Sequence, residues 1–167
     1  MKRVLIIGAG GSGKTTLARR LAERTGLPLI HLDSIYWRSG WQATPPDEWQ
    51  AKVAELIAGD SWIMDGNYGG TMDVRMEAAD TVIFLDMSRV RSLTRIIRRG
   101  LRYYGRERPD LPAGCPERLT WEFVVWVWTY PKRRRGGILR RLEAAAHTKD
   151  VHILRTPRDV EAFLASV

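Results

Sequence analysis

The residues from Gly8 to Thr15 follow the pattern Gly-x-x-x-x-Gly-Lys-Thr. They lie between a strand-like apolar run at residues 3–7 and a helical pattern that begins at Lys14. Glycines at these spacings let successive backbone N–H groups close around phosphate oxygens at the positive end of a helix. The pattern therefore predicts a phosphate-binding loop, in which Lys14 contacts the β- and γ-phosphates of ATP and the Thr15 hydroxyl holds Mg²⁺.

Two other nucleotide sites are less consistent with the sequence. Gly8, Gly10 and Gly13 also fit a dinucleotide-binding pattern, with Asp33 as its ribose-binding acid, but the Lys-Thr pair favours the phosphate loop. A GTPase would need an Asn-Lys-x-Asp sequence after a strand, which the chain lacks. We expect the purine of ATP to lie against the turn at Arg155 and an arginine of a helical insertion. The residues predicted to bind ATP are Gly8, Gly10, Gly11, Ser12, Gly13, Lys14, Thr15, Thr16, Arg95 and Arg155.

Acidic residues end further strand-like runs. Asp33 follows the second run and Asp65 ends the third, so both are expected at the sheet edge where open α/β sheets bind ligands. A carboxylate at Asp33 can orient an acceptor hydroxyl and take its proton, although a loop cap is the alternative interpretation. Asp65 is predicted to hold Mg²⁺ together with Thr15. Asp86, which ends the fourth run, is predicted to cap the helix that follows.

These residues depend on a regular alternation of strands and helices. Helical patterns at residues 14–25 and 48–58 separate the strand-like runs, which lie at residues 3–7, 27–32, 62–65, 81–86 and 151–154. The second helix is expected to begin with a capping box at Thr44. This alternation predicts an α/β fold of three layers, with a parallel sheet and helices on both faces. The length favours one domain over residues 1–167.

Residues 88–146 interrupt the alternation and have a mostly helical pattern, with a Pro/Gly-rich break at residues 108–114. We expect this insertion to act as a lid, and the alternative is a plain helical insertion with a solvated basic face. Arg95, Arg99 and Arg102 share one helix face and could converge on the transferred phosphate, so Arg95 and Arg99 are predicted to be catalytic with Lys14 and Asp33. The basic run at residues 133–135 is a second candidate.

Composition limits the class of protein. Lysine and arginine number 27 against 19 acids, a net charge of +8 that favours polyanionic partners. The single cysteine, Cys115, cannot form an internal disulfide, and the apolar runs at residues 3–7 and 123–128 are too short for a signal peptide or a membrane span. We therefore expect a cytoplasmic protein without a membrane partner. Its oligomeric state stays open.

The chain resembles the adenylate-kinase-type branch of P-loop kinases, and most closely the bacterial DNA topology modulation proteins. The residues that carry this resemblance are the loop from Gly8 to Thr15, His31 and Asp33 with Trp37 and Trp41, the segment from Asp65 to Gly70, and the arginine-rich helix after Asp86. The resemblance implies a five-stranded parallel sheet of order 2-3-1-4-5 with a mobile lid. It also implies roles for Arg95 and Arg99, which match the spacing of two arginines that precede the lid in such kinases.

The resemblance is less specific about the acceptor. In nucleotide kinases, the segment that matches Asp65 continues to an arginine that grips the acceptor phosphate, and Gly69 stands there in this chain. Arg75 or Arg38 would have to substitute. Asp33 is similar to the acid that binds the sugar-like acceptor in shikimate and gluconate kinases. The residues predicted to bind the acceptor are Asp33, Trp37, Arg38, Gly66, Asn67, Tyr68 and Arg75.

Two hypotheses of function follow. The favoured one is an ATP-dependent kinase that transfers the γ-phosphoryl group to a small acceptor, which is a nucleotide, a nucleoside or another hydroxyl compound. The alternative is a nucleic-acid-binding regulator of DNA topology that uses ATP as a switch, suggested by the +8 charge and seven tryptophans. No nucleic-acid recognition motif is present, and tryptophans such as Trp62, Trp126 and Trp128 lie in apolar runs typical of a protein core.

Overall fold

The computed structural model describes residues 1–106 and 111–167. Its main sheet has five parallel strands, which are β1 (Arg3–Gly8), β2 (Leu29–His31), β5 (Trp62–Asp65), β6 (Thr81–Leu85) and β7 (Asp150–Leu154). They lie side by side in the order β2-β5-β1-β6-β7. Counted along this sheet alone the order is 2-3-1-4-5, so the fold class and strand order expected from the sequence are confirmed. Two short strands, β3 (Trp37–Arg38) and β4 (Gln42–Ala43), form a separate antiparallel hairpin.

Helices cover both faces of the sheet. Along the chain they are α1 (Lys14–Thr25), α2 (Leu32–Tyr36), α3 (Pro46–Ile57), α4 (Met72–Ala78), α5 (Arg89–Tyr103), α6 (Trp121–Tyr130), α7 (Gly136–Ala145) and α8 (Pro157–Ala165). A π-helical turn, Pro131–Arg135, joins α6 to α7. Among the helices of the described residues, none combines the length and apolar character that a bilayer span needs.

The hydrophobic core forms two clusters, one on each face of the sheet. Successive side chains of a strand point to opposite faces, so Leu5 and Ile7 of β1 face one layer and Val4 and Ile6 face the other. The first layer is built mainly from α3, α4 and α7, and the second from α1 and α8. The β1 residues from Val4 to Ile7 are fully buried, so the loop that follows the strand starts from a well-packed part of the core.

The observed helix ends match the sequence-based prediction for α1 and differ from it for α3 and α5. Helix α1 ends at Gly26, whose φ of 71° suits a residue without a Cβ. Helix α3 begins at Pro46 instead of residue 48, since proline fits the first helical turn, and the Thr44 hydroxyl donates to the Tyr36 carbonyl instead of capping the helix. The Ser88 hydroxyl caps α5, so the cap predicted at Asp86 is wrong.

The insertion at residues 88–146 contains α5, α6, the π-helical turn and α7. Arg108 and two further residues of the predicted Pro/Gly-rich break lie outside the described residues. Trp62 is buried as expected, and Trp126 is partly buried against the core while it also lines a cleft. Trp128 is 42% exposed, so the expectation that it belongs to the core is wrong. Helix α6 has apolar residues around its whole circumference, and such a pattern cannot tell which side is buried.

Arg75 of α4 is fully buried although no carboxylate pairs with it among its hydrogen-bond partners in the described structure. Its guanidinium donates to the carbonyl oxygens of Gly66, Asn67 and Tyr68 at 3.0, 2.6 and 2.9 Å, and to Thr71. Burial lowers the pKa of Arg75 to about 10, which still leaves it charged at neutral pH. One side chain therefore fixes the segment that follows β5.

Replacing this side chain tests its structural role. We expect Arg75→Met to lower the free energy of unfolding by about 2–4 kcal/mol, because several buried carbonyl groups lose their donor. Urea denaturation followed by circular dichroism measures this change. Arg133→Ala removes an exposed arginine and serves as the control. A loss for Arg75→Met as small as that of the control would contradict this role.

Candidate active site

The candidate site lies at the carboxyl edge of the sheet. Strand β1 runs into the glycine-rich loop, β5 ends at Asp65, and Asp33 lies in α2 directly after β2. The parallel register sets Asp65 beside Ile6 of β1 and His31 of β2. The loop and both acids therefore meet at one edge, as expected where parallel strands end.

The backbone of the loop forms a cradle that requires glycine. Gly11 and Gly13 have φ angles of 74° and 104°, which residues with a Cβ adopt rarely. A Cβ on Gly11 would lie 2.3 Å from the carbonyl oxygen of Ser92 in α5, so no larger residue fits there. The Ser12 hydroxyl is buried and has no hydrogen-bond partner among the described residues. A cradle of this shape at the start of α1 fits a bound phosphate chain.

Two cations hold carbonyl groups of the loop. The Lys14 Nζ atom donates to the carbonyl oxygens of Gly8 and Ala9 at 2.9 and 3.0 Å. Burial lowers the pKa of Lys14, and the carboxylates of Asp33 and Asp65 act in the opposite direction. On the other side of the loop, Arg95 of α5 donates to the Ser12 carbonyl at 2.9 Å. The loop is thus fixed through its carbonyl groups by donors from two elements.

Asn67 pairs with the start of the loop in both directions. Its side-chain amide donates to the Gly8 carbonyl at 2.7 Å, and its Oδ1 accepts from the Gly8 N–H at 3.1 Å. The Tyr130 hydroxyl lies 3.4 Å from the same Oδ1 atom. Asn67 was expected to contact the acceptor, and it also lines the cleft. Its hydrogen bonds nevertheless make it a positioning residue for the phosphate loop.

Thr15, Asp65 and His31 form a chain of hydrogen bonds beside the loop. The Thr15 hydroxyl donates to Asp65 Oδ2 at 3.0 Å, and the His31 ring meets Asp65 Oδ1 at 2.7 Å. Hydroxyl and carboxylate oxygens are the ligands that Mg²⁺ prefers, and magnesium sites often complete their shell with water and substrate phosphates. Within residues 1–106 and 111–167, no group of three His, Cys, Asp or Glu side chains could hold a metal ion alone. The oxygens of Thr15 and Asp65 therefore fit a Mg²⁺ ion that is bound together with a nucleotide.

Asp33 is oriented by a tyrosine. The Tyr68 hydroxyl donates to Asp33 Oδ1 at 2.5 Å. Burial, followed by the negative charge of Asp33, raises the pKa of Tyr68, so its hydroxyl stays protonated and can donate. The Tyr68 ring packs 4.4 Å from that of Tyr36 and 4.9 Å from that of Trp49. Tyr68 has a φ of 28°, which is unusual for a non-glycine residue.

A cleft of about 880 Å³ connects the loop to the insertion. Trp37 and Trp41 of the hairpin region form part of one wall, and Arg95 and Arg99 of α5 form part of another. Arg99 lies 3.3 Å from the buried carboxylate of Glu117. The insertion also reaches the hairpin region directly, because the indole N–H of Trp41 donates to the Pro116 carbonyl at 3.1 Å, and the Gly40 N–H donates to Gly114.

The structure brings most of the predicted site residues to this cleft, and the cleft-lining residues among them are Gly10, Gly11, Gly13, Lys14, Thr15, Thr16, Asp33, Trp37, Asp65, Gly66, Asn67, Tyr68, Arg95 and Arg99. Gly8 and Ser12 belong to the loop beneath it. Arg102, predicted to share the clamp, is exposed outside the cleft.

Three predicted arginines have other partners. Arg38 pairs with Glu48 on the surface, and Arg75 is buried in the segment after β5. Arg155 lies 3.7 Å from Asp86, whose carboxylate accepts several hydrogen bonds from Arg135. None of the three lines the cleft.

Sequence reasoning missed residues that come from the insertion. Glu117 and Arg118 line the cleft, and the Arg118 guanidinium lies 5.2 Å from the centre of the Trp41 ring. They lie between the Pro/Gly-rich break and α6, in a segment without a recognisable motif or a periodic apolar pattern. Phe123 and Trp126 also face the cleft from α6. These two residues are three positions apart, a spacing that places them on the same face of a helix and could have indicated a shared surface.

Comparison with protein families gives one partial match. The family model described as isopentenyl transferase matches residues 1–41, which include the phosphate loop and Asp33. This is less than a quarter of the chain, so the match concerns the first elements of the fold only.

Curated relatives with measurable identity are nucleotide kinases. The chain is 32% identical to a cytidylate kinase of Nitratidesulfovibrio vulgaris over 74 residues, which is 43% of this chain and 32% of that protein. It is 33% identical to a putative adenylate kinase of Pyrococcus furiosus over 89 residues, or 49% of this chain and 47% of the relative. The chain thus spans less than half the length of either relative. The resemblance to topology modulation proteins stays a prediction, since these matches carry other descriptions.

Solved structures share the whole fold. Shikimate kinase from Acinetobacter baumannii in complex with shikimate superposes with a TM-score of 0.58 at 18% identity, covering 99% of this chain and 90% of that one. An unliganded sugar kinase from a Janibacter species gives a TM-score of 0.53 at 20% identity, with 99% and 93% covered. The chain therefore has the fold of P-loop kinases.

The pairing of Asn67 with Gly8 predicts a binding defect. We expect Asn67→Ala to weaken the binding of a non-hydrolysable Mg·ATP analogue about tenfold, because two hydrogen bonds that fix the loop are lost. Isothermal titration calorimetry measures the dissociation constant. Tyr130→Phe removes only the long contact to Asn67 and should change the constant less than about twofold. Equal affinity of Asn67→Ala and wild type would rule out the positioning role.

Proposed function

We propose that the protein is an ATP-dependent kinase that transfers the γ-phosphoryl group to a hydroxyl group of a small acceptor. The observation that carries this proposal is the shared cleft, in which a phosphate loop with Lys14, an oriented carboxylate at Asp33 and the arginines of α5 face one another. Phosphoryl transfer depends on positioning and on charge stabilisation more than on covalent chemistry. The kinase names of the partial relatives and the kinase fold support the same reaction class.

The donor half of the site would hold the triphosphate. The loop supplies backbone N–H groups, and the Lys14 ammonium has three N–H donors, so it can contact phosphate oxygens as well as loop carbonyls. Arg95 and Arg99 lie on the same side of α5, one helical turn apart, and would stabilise the negative charge that develops during transfer. Thr15 and Asp65 would hold Mg²⁺, which neutralises phosphate charge when bound.

Asp33 would act on the acceptor. Its Oδ1 atom is held by Tyr68, and a carboxylate has further lone pairs with which to accept the proton of an acceptor hydroxyl. The acceptor oxygen then forms the new bond to the γ-phosphorus, the bond to the bridging oxygen of ADP breaks, and the hydroxyl proton passes to Asp33. Trp37 and Trp41 offer flat apolar surfaces that suit a ring-shaped acceptor.

Of the three acceptor classes considered, we favour a hydroxyl compound that carries no phosphate. Arg75 and Arg38 were the candidates to bind an acceptor phosphate, but Arg75 is enclosed by carbonyl groups and Arg38 pairs with Glu48. Asp33 would also repel a phosphate dianion bound next to it. A nucleoside or a sugar-like compound meets these conditions better than a nucleoside monophosphate.

We infer that residues 88–146 serve as a lid over the acceptor. The contacts of Pro116 and Arg118 with Trp41, and of Gly114 with Gly40, join this segment to the hairpin region across the cleft. Opening of the part that carries Gly114, Pro116 and Arg118 would have to break these contacts, while α7 of the same insertion would stay packed against the sheet. Exclusion of water by such closure would favour transfer over hydrolysis. The alternative function in DNA regulation has no support from the relatives described above.

An acceptor screen with matched variants tests the proposal. ADP release is measured with nucleosides, sugars and hydroxy acids, each beside its monophosphate. We expect unphosphorylated compounds to stimulate release, and Lys14→Ala to abolish it. Asp33→Asn should lower kcat by about 100-fold or more, since the proton acceptor is lost, while the dissociation constant of Mg·ATP stays nearly unchanged.

Val74→Ser, on an exposed position of α4, is the control for these variants and should behave as wild type. Full acceptor-stimulated turnover by Asp33→Asn would contradict the role of Asp33. Stimulation by monophosphates alone would contradict the acceptor class and leave the kinase activity standing. Failure of wild type to bind Mg·ATP at all would remove the proposal as a whole.

A further inference from the structure

Large apolar side chains are exposed on one side of α5 and α6. Six of the ten exposed large hydrophobic residues in the described part of the chain lie on these two helices, with Leu101 and Trp121 more than 70% exposed. Monomeric soluble proteins rarely expose such side chains together without a function. We call this the α5–α6 surface, and it consists of Val90, Ile97, Leu101, Trp121, Val125 and Trp128.

Helical spacing aligns these residues. Val90, Ile97 and Leu101 are separated by seven and four positions, so they form one stripe along α5. On α6, intervals of four and three positions align its three members in the same way. The two helices pack against each other, and the Arg89 guanidinium lies 4.2 Å from the centre of the Trp128 ring, which links the two stripes.

Arginines flank the apolar stripe. Arg91, Arg98 and Arg102 each follow a stripe residue by one position, so they form a parallel exposed row on α5. The sequence of α5 contains no acidic residue. Glu122 of α6 lines the cleft described above. The α5–α6 surface therefore joins exposed tryptophan and aliphatic groups with a dense positive charge.

We propose that the α5–α6 surface binds the headgroup region of an anionic lipid bilayer. This surface association needs no membrane-spanning helix, and it departs from the sequence-based expectation that the protein has no membrane partner. Apolar and tryptophan side chains beside a row of arginines match the layered chemistry of that region, where apolar groups enter the acyl boundary and cations meet lipid phosphates. A second copy of the chain in a two-fold contact would bring the same arginines against each other. Nucleic acid would satisfy the arginines but leave the aliphatic stripe uncovered.

The surface lies apart from the catalytic groups. Arg95 and Arg99 line the cleft, whereas none of the six residues of the α5–α6 surface does. Binding to a bilayer would therefore leave the cleft accessible. It would place the lid segment at the membrane, and the proposal stands whether or not the kinase function holds.

Vesicle co-sedimentation of the full chain tests this surface. We expect binding to vesicles of phosphatidylcholine with phosphatidylglycerol and much weaker binding to phosphatidylcholine alone. The double variant Leu101→Ser with Trp128→Ser should bind at least about tenfold more weakly, since two apolar groups no longer enter the bilayer. The triple variant Arg91→Gln, Arg98→Gln and Arg102→Gln should lose the preference for anionic lipid. Val74→Ser is exposed but lies outside the surface, and it should bind as wild type.

Thermal unfolding and circular dichroism of each variant confirm that the fold is intact. The proposal is overturned if wild type ignores anionic vesicles or if the double variant binds them as well as wild type does. It is also overturned if sedimentation velocity shows a dimer that the double variant dissociates while wild type binds no vesicles. Binding to a DNA duplex that depends on the arginines alone, without vesicle binding, would assign the surface to nucleic acid instead.

Discussion

The site depends on holding the glycine-rich loop rigid through its carbonyl groups. Phosphate binding uses backbone N–H groups, so the atoms that can anchor such a loop without competing are its oxygens. Lys14 and Asn67 donate to Gly8, and Arg95 donates to Ser12. The close approach of α5 to Gly11 adds a steric constraint. A loop that is already fixed in this way loses little conformational entropy when phosphate binds.

A single buried cation links the two halves of the site. Arg75 holds the carbonyl groups of the segment after β5, and the same segment supplies Asn67 to the phosphate loop and Tyr68 to Asp33. The positions of the phosphate loop and of Asp33 therefore depend on one connected set of hydrogen bonds. Buried networks of this kind are stable only when every member has a partner. Arg75 was predicted to contact the substrate, but its guanidinium donates to the carbonyl groups of this segment instead.

Local patterns in the sequence were sufficient to predict the sheet and which residues would meet at its carboxyl edge. The phosphate loop, Asp33 and Asp65 all follow strands, and a parallel sheet brings strand ends together whatever the details of packing. The strand order was available through family resemblance only. Contacts between segments that are distant in sequence could not be predicted from these local patterns. Nothing in the sequence indicated that Asn67 would pair with Gly8, that Arg75 would be buried, or that Glu117 would approach Arg99.

Backbone amide chemical shifts measured by NMR during titration with a non-hydrolysable Mg·ATP analogue test the central claim most directly. We expect the largest changes at the amides from Gly10 to Thr15, because their N–H groups would contact phosphate oxygens. The same titration with Lys14→Ala should give much smaller changes at matched concentrations. Saturable binding that leaves these loop amides unmoved, or no binding to well-folded wild type, would contradict this account of the cleft.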